Sequence, residues 1–361
     1  ADPDVRGPLT WVLLPVPLMA QLTKSGILSA ERALADGIDN RTQSVPAAEG
    51  RPAVRLELYR RQGLTGAVPA LLWIHGGGYV MGAVTNDDDW CCRVAAELDV
   101  QVVSTDYRKA PEHPFPAALD DCFAALGWLI EHADELGVDP SRVMIGGNSA
   151  GGGLAAALAQ RAHDAGLNVG FQLLVYPMLD DRTVPRAEAA GEYTLVWTPK
   201  ANRYGWGSYL GAEPGVGTPP PYAAPARRAD LAGLPAAWIG VGSVDLFHDE
   251  DVEYARRLTD ATGYLADLKR QFADRTDHLG MVDKVLDTLV QRQQDKISVG
   301  DDPHLPSEVK ILHPCESLTG SYKVCLERNG SIGSVDVVQG IPGADEGIIA
   351  SVKAWRYRPQ P

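Results

Sequence analysis

The stretch VMIGGNSAGGGLA, residues 143–155, decides the fold class of this chain. It opens with a short apolar run, which is typical of a strand covered on both faces. A helical pattern of small and apolar residues follows over positions 150–165. Between the two, residues 147–151 fit the pattern G-x-S-x-G, in which a serine occupies a sharp turn from strand to helix. We therefore predict that Ser149 projects above a sheet, where the start of the helix favours developing negative charge.

A glycine-rich helix start or a phosphate cradle is the alternative interpretation of this motif. A P-loop needs Gly-Lys followed by Ser or Thr, and no such residues follow Ser149. The setting between a strand and a helix therefore favours a nucleophile.

Apolar runs and helical patterns alternate on both sides of Ser149. This alternation, with right-handed crossovers, predicts an α/β fold with a mostly parallel sheet. A period-two pattern over residues 54–59 adds a half-buried strand. The predicted strands are residues 70–74, 100–103, 143–145, 173–176 and 237–241, and the predicted helices are residues 90–98, 117–132, 150–165 and 249–258.

A glycine-rich loop, His-Gly-Gly-Gly-Tyr at residues 75–79, follows the predicted strand 70–74. Three consecutive glycines leave backbone N–H groups uncovered, and such groups stabilise an oxyanion during acyl transfer. A flexible surface loop is the alternative. The occurrence of this loop upstream of the serine motif favours the functional interpretation.

Four motifs together resemble the hormone-sensitive-lipase-like family of α/β-hydrolases (bacterial family IV). They are HGGGYVMG at 75–82, DYRKAPEHPFPAALDD at 106–121, GNSAGGGLA at 147–155 and VGSVDLFHDEDVEYARRL at 241–258. The resemblance covers about residues 8–262. It implies an α/β-hydrolase fold with an N-terminal cap, and carboxylesterase activity on short-chain acyl esters without a cofactor or metal.

The same resemblance implies a role for individual residues. Ser149 corresponds to the nucleophile, and the N–H groups of Gly77, Gly78 and Ala150 to the oxyanion hole. Asp245 corresponds to the acid of the triad. Tyr79 and the cap, which parts of residues 185–225 would complete, are expected to line the substrate pocket.

The catalytic histidine lacks its family context, because no Gly-x-x-His-Gly-Phe-like segment follows Asp245. The candidates are His248, His278, His304 and His313. His278 lies 33 residues after Asp245, which fits the order Ser, Asp, His and makes it the best candidate. Its surroundings are polar and helical, so a surface histidine stays open as the alternative. Without an imidazole in reach, most triad catalysis is lost.

The end of the chain has a different pattern. Residues 320–338 and 344–361 predict a hairpin, a helix and the approach to a further strand, and they resemble the C-terminal domain of TonB-like energy transducers over about residues 305–361. The charge also changes: residues 262–361 hold 12 Lys and Arg against 14 Asp and Glu, whereas residues 1–261 hold 21 against 33.

We interpret the protein as a fusion of a hydrolase, without its usual C-terminal histidine-bearing segment, to a small α+β module. The predicted domains are a cap region at 1–50, a catalytic α/β-hydrolase core at 51–262, a helical connector at 263–304 and a TonB-like module at 305–361. A strand edge in that module would allow a homodimer.

The composition excludes several partners. The net charge of −14 disfavours nucleic acid, and the five cysteines do not form a disulfide or metal pattern. The longest apolar stretch, residues 11–20, contains Pro15 and Pro17 and is too short to span a bilayer. It also lacks the features of a signal peptide, so we expect a soluble, cytoplasmic protein.

Two hypotheses follow for function. The first is a serine carboxylesterase acting on a small acyl ester. The second is a catalytically impaired fusion protein, whose C-terminal module mediates oligomerisation or protein binding.

Overall fold

The computed structural model describes residues 16–17, 35–48, 50–190, 197–242, 245–262, 321–326 and 332–339. The chain divides into two compact units. One, Thr10–Lys284, holds a seven-stranded sheet, and the other, Ala1–Leu9 with Val285–Pro361, holds a two-stranded pair. The predicted domain bounds remain predictions.

The seven-stranded sheet has the order β1-β2-β4-β3-β5-β6-β7. Strands β3 to β7 run parallel to one another, and β1 and β2 extend the sheet antiparallel at one side. This confirms the predicted mostly parallel sheet. The strands are β1 (Ile38–Val45), β2 (Val54–Arg61), β3 (Val68–Ile74), β4 (Gln101–Thr105), β5 (Val138–Asn148), β6 (Phe171–Val175) and β7 (Ala236–Gly240).

Helices connect these strands and cover the sheet. In the described part they are α1 (Asp88–Leu98), α2 (Ala117–Glu131), α3 (Ala133–Leu136), α4 (Ala150–Asp164), α5 (Thr183–Ala190), α6 (Pro199–Leu210) and α7 (His248–Thr262), with a 3-10 turn at Pro225–Arg227. Helix α4 is buried along most of its length because its glycines and alanines let it pack closely against the strands. The four predicted helices are all present, each with bounds within a few residues of the prediction.

Strand β1 lies inside the region 1–50 that the sequence assigned to a cap. It instead pairs with β2 along its whole length, so the sheet begins before residue 51. The polar run Asp39-Asn40-Arg41 hid this strand, because an edge strand needs little apolar sequence. Asn40 and Thr42 both donate hydrogen bonds to the buried carboxylate of Glu57 on β2.

In the second unit, Ser321–Leu326 (β8) pairs antiparallel with Ile332–Gln339 (β9), which agrees with the predicted hairpin. The other elements predicted for residues 305–361 lie outside the described residues.

Candidate active site

Ser149 joins the end of β5 to the start of α4. Its backbone has φ +54° and ψ −122°, a conformation that costs free energy for a residue with a side chain. Three backbone hydrogen bonds hold it there: the Ser149 N–H donates to the Val175 carbonyl at 2.9 Å, and the Ser149 carbonyl accepts from the N–H groups of Gly153 and Met178, both at 3.0 Å. The strained serine turn predicted from the sequence is therefore present.

Glycines surround this turn because no other residue fits. A methyl group at Gly151 would lie 2.0 Å from the carbonyl oxygen of Ile74, the last residue of β3. A methyl group at Gly147 would lie 2.4 Å from the Gly151 carbonyl oxygen. The start of α4 consequently sits directly against the end of β3, which brings Ser149 beside the loop that follows β3.

That loop is the glycine-rich segment 75–78. A methyl group at Gly76 would lie 3.3 Å from Cβ of Ser149, so the loop borders the serine directly. Gly77 and Gly78 have φ values of +127° and +59°, which favour glycine. Within the described part of the chain, neither the Gly77 nor the Gly78 N–H donates to a backbone carbonyl. Ala150 is the first residue of α4, where an N–H has no acceptor inside the helix.

His75 supports this loop. Its side chain is fully buried, stacks on Tyr107 with ring centroids 4.5 Å apart, and places Nδ1 2.7 Å from the Gly76 carbonyl oxygen. Burial, together with the nearby Lys109 ammonium, lowers the pKa of His75 to about 3. The imidazole is therefore neutral at physiological pH and fixes the loop.

Asp245 follows β7 at the same edge of the sheet. Val175 at the end of β6 pairs with both Asn148 on β5 and Gly240 on β7, so the carboxyl ends of these three strands lie side by side. The Phe247 N–H donates to Oδ1 of Asp245 at 2.9 Å, which fixes the carboxylate. Burial raises the pKa of the half-buried Asp245, and the hydrogen bond from Phe247 partly offsets this.

Among the four candidate histidines, the described residues include His248. It is partly exposed, and its Nδ1 lies 3.0 Å from Oδ1 of Asp249. His278, His304 and His313 lie outside the described residues, so the choice of His278 as general base remains a prediction.

Tyr79 lies immediately after the glycine loop and is almost fully buried. Its hydroxyl donates to the Met178 carbonyl at 2.9 Å, and its ring stacks on Tyr209 with centroids 4.0 Å apart. Tyr79 therefore joins the loop to the segment after β6 and to α6. Its predicted contact with substrate remains a prediction.

The sequence interpretation missed Trp197, which packs on the glycine loop. A methyl group at Gly78 would lie 2.1 Å from Cη2 of Trp197. Thr198 caps α6 by accepting a hydrogen bond from the Ala201 N–H, and Pro199 occupies the first turn. This Thr-Pro signature predicts a helix start, and it was the available signal that Trp197 directly precedes a helix.

Comparisons with known proteins agree with this geometry. A family model described as alpha/beta hydrolase fold matches residues 71–270. Because this match spans more than half of the chain, the protein belongs to the α/β-hydrolase family, which confirms the resemblance seen in its motifs at that level.

Two of the named relatives carry the name of an esterase or of a carboxylic ester hydrolase. Esterase LipI of Mycobacterium tuberculosis (strain ATCC 25618 / H37Rv) is 43% identical over 196 residues, which make up 54% of this chain and 60% of LipI. Carboxylic ester hydrolase LipN of the same strain is 37% identical over 238 residues, or 64% of this chain and 62% of LipN. This chain thus spans less than two thirds of either relative.

Among solved structures, a bacterial heroin esterase superposes with a TM-score of 0.61 and 38% sequence identity, covering 72% of this chain and 85% of that one. The comparisons give no support to the TonB-like resemblance or to a fusion. Among the described residues, no helix has both the length and the apolar character needed to cross a bilayer.

Proposed function

We propose that the protein is a carboxylesterase that hydrolyses short-chain acyl esters through an acyl-serine intermediate. The observation that carries this proposal is the strained backbone of Ser149, held between β5 and α4 directly beside the glycine loop 75–78. A serine in this conformation costs free energy, and a strained serine at a strand-to-helix turn is the arrangement of a hydrolase nucleophile.

In the first step, Oγ of Ser149 attacks the ester carbonyl carbon and loses its proton to a general base. The carbonyl oxygen becomes an oxyanion, which the N–H groups of Gly77, Gly78 and Ala150 stabilise by hydrogen bonds. The tetrahedral intermediate then collapses, the alcohol leaves with the proton from the base, and the acyl group stays on Ser149. A water molecule, deprotonated by the same base, then attacks the carbonyl carbon of the acyl-serine. Collapse of the second tetrahedral intermediate returns the proton to Oγ of Ser149 and releases the carboxylic acid.

The general base is proposed to be His278, oriented by Asp245. Strands β5 and β7 are two strand spacings apart, about 10 Å, and an imidazole between the loops that follow them would contact both Ser149 and Asp245. The burial that raises the pKa of Asp245 also lowers the local dielectric, which strengthens a hydrogen bond to a protonated imidazole.

The names of the relatives support this reaction class. LipI and LipN are named as an esterase and a carboxylic ester hydrolase, and a further relative, 36% identical over 205 residues, is named ethyl acetate hydrolase of Pseudomonas putida. Esters with small acyl groups are therefore the first substrates to test.

The test is hydrolysis of p-nitrophenyl acetate and butyrate by the full chain and by Ser149→Ala. We expect turnover by the parent chain and loss of at least about a thousandfold in Ser149→Ala, with an unchanged unfolding midpoint. A fluorophosphonate should label the parent chain and not the variant. Absence of both turnover and labelling would exclude the proposal.

The role of His278 has a separate test. We expect His278→Ala to lose activity comparably, whereas His248→Ala, which alters a partly exposed histidine paired with Asp249, keeps it. Full activity of His278→Ala in a folded chain would overturn the choice of base and leave the nucleophile standing.

A further inference from the structure

Trp197 and the glycine loop form one tightly packed contact. The benzo edge of the indole lies against Gly78, where a methyl group would come within 2.1 Å of Cη2 and 2.5 Å of Cζ2. Helix α6 closes the contact from the other side, since a methyl group at Gly205 would lie 2.8 Å from the Gly78 carbonyl oxygen and 3.0 Å from Cζ2 of Trp197. Two glycines thus allow the indole to reach the loop.

The indole is held in one orientation. Its Nε1–H donates to Oδ1 of Asn202 at 3.1 Å, and Asn202 is fully buried one turn into α6. Thr198 and Pro199 fix the start of that helix, so the backbone next to the tryptophan is also fixed. Because both its backbone and its N–H are fixed, the indole of Trp197 forms a rigid wall, that is, a surface that cannot move aside to admit a larger group.

Trp197 is nonetheless half-buried, unlike Trp206 on α6, which is completely buried. Trp197 therefore keeps some accessible surface, and it is in direct contact with the glycine loop. The loop that Trp197 contacts supplies two of the proposed oxyanion-hole N–H groups, so this side chain is placed to act on a substrate bound there.

We propose that Trp197 is a specificity-determining residue that restricts the acyl group to short chains. This inference rests on the proposed carboxylesterase function. The acyl group, unlike the alcohol, stays on Ser149 through both tetrahedral steps, so a rigid wall at the oxyanion loop constrains it throughout the reaction. The alcohol leaves after the first step and meets the wall only once.

The experiment compares kcat/KM for p-nitrophenyl acetate, butyrate and octanoate in the parent chain, Trp197→Ala and Trp197→Phe. We expect the ratio of octanoate to acetate to rise about tenfold or more in Trp197→Ala and less in Trp197→Phe, because even one methylene in a pocket changes kcat/KM by about that factor. A ratio cancels any uniform loss of activity from a loosened loop.

Two further variants make the test specific. Asn202→Ala keeps the indole and removes its anchor, so it should raise the same ratio by a smaller factor. Trp128→Ala is the matched control: Trp128 is also half-buried, but it lies on α2 and stacks on His132. The octanoate-to-acetate ratio of kcat/KM in Trp128→Ala should stay at the parent value. If Trp197→Ala does not fold, Trp197→Phe and Asn202→Ala still decide the question.

The outcomes separate the two proposals. Ser149-dependent hydrolysis with the same octanoate-to-acetate ratio in all variants would overturn the role of Trp197 and leave the carboxylesterase standing. A change that occurs only when the alcohol is enlarged, as in phenyl against naphthyl acetate, would also overturn it. Lack of Ser149-dependent hydrolysis of any ester would overturn both.

Discussion

Gly151 and Ile74 touch so closely that the loop after β3 and the start of α4 form one unit. A methyl group at position 151 would lie 2.0 Å from the Ile74 carbonyl oxygen and 2.5 Å from that of His75. Both neighbours are backbone atoms, which cannot rotate away as a side chain can. The position of the serine turn is therefore coupled to the position of the glycine loop.

Gly151→Ala is expected to damage this unit. Relief of the overlap must move either α4 or the end of β3, at a cost of about 1–3 kcal/mol in unfolding free energy. Labelling of Ser149 by a fluorophosphonate should slow in the same variant, since the serine and the loop separate. Urea unfolding and labelling rates measure both effects.

Gly127→Ala is the matched control for this variant. Gly127 lies within α2, and a methyl group there meets no atom within 4 Å. The change should stabilise the protein by up to about 1 kcal/mol because alanine is the better helix former. Equal effects of the two substitutions would contradict the proposed coupling.

Tyr79→Phe tests the link between the glycine loop and the segment after β6. The variant removes the hydroxyl that donates to the Met178 carbonyl and leaves that buried acceptor unpaired. We expect the unfolding free energy to fall by about 1 kcal/mol. Tyr204→Phe, at a half-buried tyrosine on α6, should change it far less. An equal loss of unfolding free energy in both variants would show that the hydrogen bond from Tyr79 to Met178 does not stabilise the protein.

Arg227→Ala tests a nearly buried ion pair between Arg227 and Asp181. Asp181 is almost fully buried and accepts bonds from Nε and Nη2 of Arg227, at 2.7 and 2.8 Å, and from the Gly215 N–H. Loss of the guanidinium leaves a buried carboxylate without its counter-charge, which costs about 3–5 kcal/mol. Calorimetry or urea unfolding measures this loss.

Arg93→Ala supplies the comparison. Arg93 and Glu97 on α1 form an exposed pair at 3.7 Å, and such pairs contribute below about 0.5 kcal/mol. A large loss of unfolding free energy in Arg93→Ala together with a small loss in Arg227→Ala would refute the stabilising role of the Arg227–Asp181 pair.

Asp251→Asn should change how stability depends on pH. Asp251 is fully buried, and its carboxyl oxygens have no hydrogen-bond partner in the described part of the chain. Burial raises the pKa of Asp251, and the carboxylates of Glu250 and Asp245 raise it further. The folded state thus keeps a proton that the unfolded chain releases near pH 4.

A pKa raised by folding makes the unfolding free energy fall as the pH rises above about 4. Asparagine carries no such proton, so Asp251→Asn should gain stability over the parent chain progressively between about pH 5 and pH 8. Urea unfolding at several pH values gives the difference. Parallel curves for the two proteins would rule out the raised pKa.

The sequence interpretation identified those features that are local in the chain. The strand, turn and helix around Ser149 are contiguous, so their composition alone predicted the strained serine. The central strands were predicted because strands covered on both faces read as apolar runs. Strand β1 was missed because hydrogen bonds to Glu57 stabilise polar residues such as Asn40 that composition assigns to a loop.

Contacts between distant segments escaped prediction. Asp249-Glu250-Asp251 has the composition of a solvated helix start, yet the structure buries two of the three. Glu250 accepts hydrogen bonds from the backbone N–H groups of Leu179 and Asp180, which belong to the segment after β6. The contact between Trp197 and Gly78 likewise joins positions more than a hundred residues apart, and no periodic pattern encodes it.

Two of the hydrogen bonds to the backbone of Ser149, those with Val175 and Met178, also impose an order on biosynthesis. The partners, Val175 and Met178, come after Ser149 in the chain, so the ribosome makes the serine before the residues that hold it in place. A nascent chain that ends before Met178 contains the complete G-x-S-x-G motif and the Gly153 N–H that donates to the Ser149 carbonyl, but it lacks the second donor to that carbonyl, the Met178 N–H. The two bonds that tie Ser149 to the segment around β6 can therefore form only after β6 and the turn beyond it have left the exit tunnel.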